Sequence, residues 1–321
     1  MAMRWWPVLV VAAAMMATAA EGFISAKTWS AVRRANDRGG PFVGLVVPNA
    51  YEMDPVLNSP SFTPTPPLPS YLDIQGRRFR FGAIGGQNVV MVMTGLSMLN
   101  AGLTTQLLLS LFRVKGIVHW GIAGNADEGL QIGDVTIPEH WAHLSLWNWQ
   151  RYGDGPENEL PLEAAGDYTR DLGFLNFSDY TAAGPSPNEL NSIWFQPEEI
   201  FPVSGTPEQR QHAFWVPVSS RYFSLAEKLE FLRAKFGCTP VEMESAAVAL
   251  VAHQHAVPFL TIRSLSDLAG GGSSLGNEAG EFLAIAAQNA VDVMLREKIY
   301  LSPTLVGFKN PCMHPHIKQT I

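Results

Sequence analysis

The run Pro41–Ala50, PFVGLVVPNA, is apolar without alternation and ends at Pro-Asn. A strand wetted on one face alternates polar and apolar residues, so an unbroken run reads as a strand buried on both faces. Such a strand belongs inside a parallel sheet with helices over both sides. Matching parts follow. RRFRFGAIGG and NVVMVMTG flank a Gly-Gly-Gln turn and predict a hairpin. GIVHWGIAG and GDVTIPEH are strand-like runs bounded by Gly, and VPFLTIRSLSD (Val257–Asp267) is another strand with a polar end. Helical spacing covers Ser25–Asn36, Met98–Phe112, Tyr222–Lys235 and Glu281 to about Lys298. Strand and helix alternate, which predicts the α/β class. Two stretches break the rhythm: SPSFTPTPPLPS is too Pro-rich for a helix or a central strand. Residues 140–216 are rich in Trp, Pro, Asn and Gly with poor periodicity, and read as a long irregular insertion into one domain spanning 21–321.

The 321 residues are 47% hydrophobic and 16% charged, enough apolar surface for one large domain or two small ones. A net charge of -7 with scattered acidic residues argues against the basic stripe that phosphate-backbone binding needs, so no nucleic-acid partner is expected. Residues 1–20 place Arg4 before an apolar run from Trp5 to Ala17, followed by the small-x-small Ala17-Thr18-Ala19. This is the pattern of a cleaved secretory signal; no later stretch reads as membrane-spanning. The Asn176-Phe177-Ser178 sequon agrees with that route to the cell exterior, cell wall or vacuole. With only Cys238 and Cys312 the fold must stand on its core rather than on disulfides. Cys312, His314 and His316 read as a terminal tail, and neither metal nor cofactor is expected.

Chemistry concentrates in two stretches. VEMESAAVAL (Val241–Leu250) opens a helix predicted from Met243 to Ala252 that is apolar on every side. Glu242 and Glu244 enter at its first turn, where free N–H groups favour carboxylates. Each is either a cap or a fixed acceptor for ligand hydroxyls. Asp267 ends a Val/Phe/Leu/Ile strand beside Arg263, Ser264 and Ser266, the position where open α/β sheets hold their ligand crevices. It is either a turn residue or a general acid, a role usually worth ~10² to 10⁴ in rate. TGLSMLNAG (Thr94–Gly102) and WGIAGN (Trp120–Asn125) are small-residue loops after strands that let a backbone approach a sugar or an anion, and Glu52 follows the first buried strand.

Taken in order, TGLSMLNAGLTTQLLL, GIAGN with GLQIGDV, VEMESAAVAL and PFLTIRSLSDLAGG resemble the purine nucleoside phosphorylase and methylthioadenosine/S-adenosylhomocysteine nucleosidase superfamily. The signal segment, LWNWQRYG and QPEEIFPVSGTPEQRQHAFWVPVS resemble its plant bark storage protein branch. The resemblance covers about Pro41 to Leu295. It implies a three-layer α/β/α sandwich around a mixed, partly barrel-like sheet, a homo-oligomer, and cleavage of a small-molecule nucleoside at its N-glycosidic bond. By residue match, Asp267 would protonate the purine, Ser266 and Arg263 would orient it, and Glu52 would activate water. Glu244 and Met243, with Glu242 beside them, would hold the ribose. Thr94, Gly95, Gly121, Ala123 and Gly124 would line the pocket, and Tyr222 or Phe223 would stack on the base. The nucleosidases carry an aromatic residue in the loop after the acid; AGGGSSLGNEAGEF has none before Phe282. Phosphorylases place Arg near the first Gly loops, and there is no Arg between Gly39 and Arg77 or within TGLSMLNAG, so water is the expected nucleophile. A storage protein that keeps the fold with little turnover is the alternative.

Overall fold

The structure, a computed structural model, describes residues 24–125, 129–143, 147–149, 193–195, 198–206, 209, 211–220, 240–268 and 278–296. The signal segment, the sequon, both cysteines, the Tyr222 helix and the loop after Leu268 lie outside these residues.

Helix α1 (Ala26–Gly39) is capped by Ser25, whose hydroxyl accepts from the Thr28 N–H, and buries Val32 and Ala35. Strand β1 (Phe42–Val47) follows and is buried at every residue, as its unbroken apolar run predicts. Helix α2 (Ala50–Leu57) begins with a capping box in which Asn49 and Glu52 each satisfy the other's backbone N–H. Then come β2 (Phe62–Thr63), β3 (Tyr71–Ile74), β4 (Arg77–Ile84) and β5 (Gln87–Met93), with β4 and β5 joined through the expected Gly-Gly turn, both glycines at positive φ. Helix α3 (Met98–Leu111) leads into the long strand β6 (Val114–Asn125).

GDVTIPEH contributes the two-residue strand β7 (Val135–Thr136) and, at its last residue, the start of β8 (His140–Trp141), with residues 137–139 outside any strand. The described parts of the insertion are short antiparallel pairs: β8 with β13 (Val216–Pro217), β9 (Trp147–Trp149) with β10 (Ile193–Phe195), and β11 (Glu198–Ile200) with β12 (Gln211–Ala213). Next are β14 (Pro240–Val241), α4 (Ser245–Gln254), β15 (Phe259–Leu268) and α5 (Glu278–Arg296).

The main sheet runs β2-β4-β5-β1-β6-β15-β7, with β3 on β4 and β14 on β6. β5, β1, β6 and β15 are mutually parallel, and the outer pairings are antiparallel. This is the mixed, partly barrel-like sheet with flanking helices expected from the sequence. Val43, Leu45, Ile117, Val118, Leu260 and Ile262 form its core, each buried side chain stabilising the fold by about 1.5–3 kcal/mol before entropy is counted. Helix α5 covers β15 and β6 and also meets α2, while α3 packs against α4. The parallel strands share a direction, so the residues after β1, after β5 and late in β6 and β15 gather at one edge. No helix among the described residues is long and apolar enough to cross a membrane.

Candidate active site

The β6 backbone is the ruler of this edge. Arg263 pairs with Gly121, Ser264 with Ile122, Leu265 with Ala123 and Asp267 with Gly124. An added Cβ at Gly121 would overlap both Arg263 Nη1 and Glu52 Oε1. Glycine here is the space into which an acid and a base are laid side by side. Glu52 reaches over it from α2, is 1% exposed, and accepts from the Ile122 N–H at 2.8 Å and the Asn49 N–H at 3.2 Å. Trp120 Nε1 donates to the Glu52 carbonyl at 2.9 Å and fixes the helix turn that carries it. Burial pushes the Glu52 carboxyl up to about 7, against the opposing pull of Arg263 at 3.9 Å.

This raised value has a consequence for stability. A carboxyl that holds its proton to a higher pH when folded adds stability that is complete below the unfolded value of 4.5 and is lost as pH rises through about 7. The loss is on the order of 3 kcal/mol. Urea unfolding of Glu52→Gln is expected to show a shallower fall in stability across that window than the native protein, and identical slopes would contradict the assignment.

Arg263 is fully buried and carries the cluster. Its Nε donates to Ser245 Oγ at 3.1 Å and its Nη1 to the Ile122 carbonyl at 3.1 Å. Nη2 donates to Glu242 at 2.6 Å, to Ser245 Oγ at 2.8 Å and to the His119 ring. Glu244 lies 3.9 Å away. One cation thus serves three carboxylates, and among the described residues no hydrogen bond runs from it to Asp267. A register shift between Leu265 and Asp267 breaks the two-residue period of β15, and the buried guanidinium is drawn to the carboxylates at the start of α4.

The two glutamates divide the roles left open by the sequence. Glu242 accepts from the Glu244 N–H at 2.8 Å and from the Ser245 N–H at 2.8 Å, so it caps α4 and pairs with Arg263. Both of its oxygens accept backbone N–H groups of the helix start, and the helix begins at Ser245 rather than Met243 because the chain wraps around this carboxylate. Glu244 is 3% exposed and accepts the Ser97 N–H at 2.9 Å. Burial raises its carboxyl, opposed first by that N–H and then by Arg263. Met243 beside it is 57% exposed.

The loop after β5 is shaped to deliver the Ser97 N–H. Thr94 is buried, donates its N–H to Val47 O at 2.9 Å, and has its hydroxyl 2.7 Å from Gly95 O; Gly95 adopts φ +81°. Ser97 adopts φ +91° and ψ 153° as the first cap of α3, a region essentially reserved for glycine. Ser97→Gly is accordingly expected to stabilise the protein by about 1 kcal/mol, strain relief outweighing the added unfolded-state entropy. A rise in the urea midpoint checks this. Farther along β15, Ser266 Oγ donates to Asp267 Oδ1 at 2.6 Å and lies 3.3 Å from Ala123 O. Asp267 is half-buried at the end of β15. Tyr222 and Phe223 lie outside the described residues.

The structure thus brings Glu52, Arg263, Glu244, Glu242 and Gly121 into one cluster, with Ser266 and Asp267 a short step along β6. Sequence reasoning missed His119, Ser245, Trp120 and Ser97. The signal for His119 was present: a polar ring inside an apolar strand must find partners. It also missed Arg77, which the hairpin carries to the α3 end of the loop, where it donates to Asn100 Oδ1 at 3.0 Å.

Comparison with known proteins gives this arrangement its relatives. Over 223 residues the chain is 30% identical to the 5'-methylthioadenosine/S-adenosylhomocysteine nucleosidase of Bacillus licheniformis, covering 68% of this chain and 84% of that protein. It is 29% identical over 158 residues to bark storage protein A of Populus deltoides, covering 49% of this chain. The match spans 45% of the bark storage protein, about half its length. Among solved structures, the nucleosidase of Helicobacter pylori superposes with a TM-score of 0.54 at 18% identity, covering 81% of this chain and 99% of that one, a likeness of fold. The family model described as Phosphorylase superfamily matches residues 42–297, a span that begins with β1 and runs past α5. Every strand of the main sheet and every carboxylate of the cluster falls within it, and the chain is a member of the phosphorylase superfamily.

Proposed function

We propose that the chain hydrolyses the N-glycosidic bond of a purine nucleoside of the methylthioadenosine or adenosine type. The observation that carries this reading is Glu52, a buried carboxyl near 7 at the edge where the parallel strands end, with Glu244 close by and Asp267 at the strand end. A base that titrates near neutrality is suited to take a proton from water. Water oxygen then bonds to the anomeric carbon as the carbon–nitrogen bond breaks, and Asp267 delivers its proton to the leaving purine. Ser266 holds one oxygen of Asp267 and leaves the other for the base. Glu244, fixed by the Ser97 N–H, accepts from ribose hydroxyls.

The named nucleosidase relative supports this reading, while the bark storage relative supports a second, a storage protein with little turnover. Arg77 beside the glycine loop keeps a phosphate arm in the test, since a guanidinium suits a phosphate nucleophile. We also read the chain as a secreted homo-oligomer: Leu96, and Leu99 and Leu103 of α3, are 57%, 72% and 60% exposed, an apolar face that a second copy would bury.

The deciding experiment is base release by the mature protein from methylthioadenosine, adenosine and inosine, with and without phosphate. Phosphate-independent release is expected. Release only with phosphate would make the chain a phosphorylase, and no release from folded protein would favour storage.

A further inference from the structure

His119 has no task in the chemistry above, yet it occupies the centre of the sheet. It lies in β6 between Val46 of β1 and Thr261 of β15, with its ring fully buried. Nδ1 is 2.9 Å from the Val46 carbonyl oxygen. A carbonyl can only accept, so Nδ1 carries the ring proton and Nε2 keeps its lone pair, which accepts from Arg263 Nη2. Burial, and then the Arg263 charge, hold the ring well below the ordinary histidine range, so it stays a neutral acceptor.

We propose that His119 is a positioning residue: by accepting from Arg263 Nη2 it anchors the guanidinium over Gly121, in contact with Glu242 but 3.9 Å from both Glu52 and Glu244. The distance matters chemically. A guanidinium in direct contact with Glu52 would stabilise its carboxylate and weaken it as a base; one withdrawn altogether would leave three buried carboxylates uncompensated. His119 and Glu242 hold Nη2 from two sides, Ser245 holds Nε, and Ile122 O holds Nη1. The charged groups acting on Glu52 are Arg263 of β15 and Glu244 at the start of α4, and the one acting on His119 is Arg263. An apolar residue at 119 would remove the acceptor that holds Nη2 and let the guanidinium shift between the two carboxylates not bonded to it, Glu244 facing Nη2 and Glu52 facing Nη1, each 3.9 Å away.

The inference rests on reading Glu52 as the water-activating group, so its test is one that needs no turnover. In protein labelled with ¹³C at the glutamate carboxyl carbons, Glu52 is assigned by its loss in Glu52→Gln and titrated by NMR. His119→Leu is expected to move the Glu52 midpoint by about one pH unit or more, down where the guanidinium closes on Glu52 and up where it closes on Glu244, and His119→Gln, whose amide oxygen can accept in the same place, to restore it to within about half a unit. A merely structural role would leave the midpoint in place in both. An unmoved midpoint in folded His119→Leu overturns the proposal. Should that variant fail to fold, ¹⁵N spectra of the native protein decide: a proton found on Nε2 overturns it, and a lone pair there with the midpoint kept in His119→Gln sustains it. Titration as expected without any base release would remove the hydrolase reading and leave the positioning role standing.

Discussion

Asp267→Asn is expected to lower phosphate-independent base release by about 10²- to 10⁴-fold while leaving the fold and the Michaelis constant nearly unchanged. The asparagine keeps the shape at the end of β15 and can still receive the Ser266 hydroxyl at its amide oxygen. What it lacks is an acidic proton to pass to the leaving purine, which must then depart as an anion. Because the loss falls on the transition state rather than on binding, it appears in kcat. Ser266→Ala should cost less, since it removes one hydrogen bond and leaves the acid in place. Steady-state rates of adenine release from methylthioadenosine measure both, with unfolding midpoints as the control. An Asp267→Asn protein within about tenfold of the native rate would show that the acid lies elsewhere.

The elements of this site were legible in the sequence to different degrees, for physical reasons. β1 announced itself because a strand buried on both faces has nowhere to place a polar residue. The β4–β5 hairpin was legible because its turn needs two positive-φ residues and the chain supplies two glycines. The carboxylates were visible as types in a motif, but their division of labour was not. Glu242 and Glu244 differ by two positions, and only the way the backbone wraps into α4 decides that one caps the helix while the other accepts the Ser97 N–H. Pairings across the sheet were hidden for a similar reason. Arg263 meets His119 through the parallel register of β15 on β6 and meets Glu52 across the gap left by Gly121. Arg77 reaches Asn100 only because the hairpin folds back. Local pattern specifies which residues are polar in an apolar setting; register and loop path specify whom they touch.

Arg263→Met is expected to produce the largest loss of stability of any single change in the site, about 3–5 kcal/mol near pH 8. Methionine fills much of the same volume, so the cost is electrostatic rather than a cavity. Glu52, Glu242 and Glu244 would remain buried around the vacated place with no cation among them. The cost has a definite pH signature. Without the guanidinium the Glu52 and Glu244 carboxyls, both pulled down by it, hold their protons to still higher pH than in the native protein, while the unfolded chain is unchanged. The folded variant therefore binds more protons than the unfolded one over a wider window, and its stability falls more steeply as pH rises. Lowering the pH to about 5, below the Glu52 value of about 7, keeps that carboxyl neutral and should recover part of the deficit. Urea unfolding of both proteins at the two pH values tests this. A deficit equal at both would mean that lost packing around the Arg263 stem, not its charge, is what the fold misses. Recovery at low pH would show one buried arginine balancing three carboxylates, the arrangement in which Glu52 can keep a proton near neutrality and still give it up.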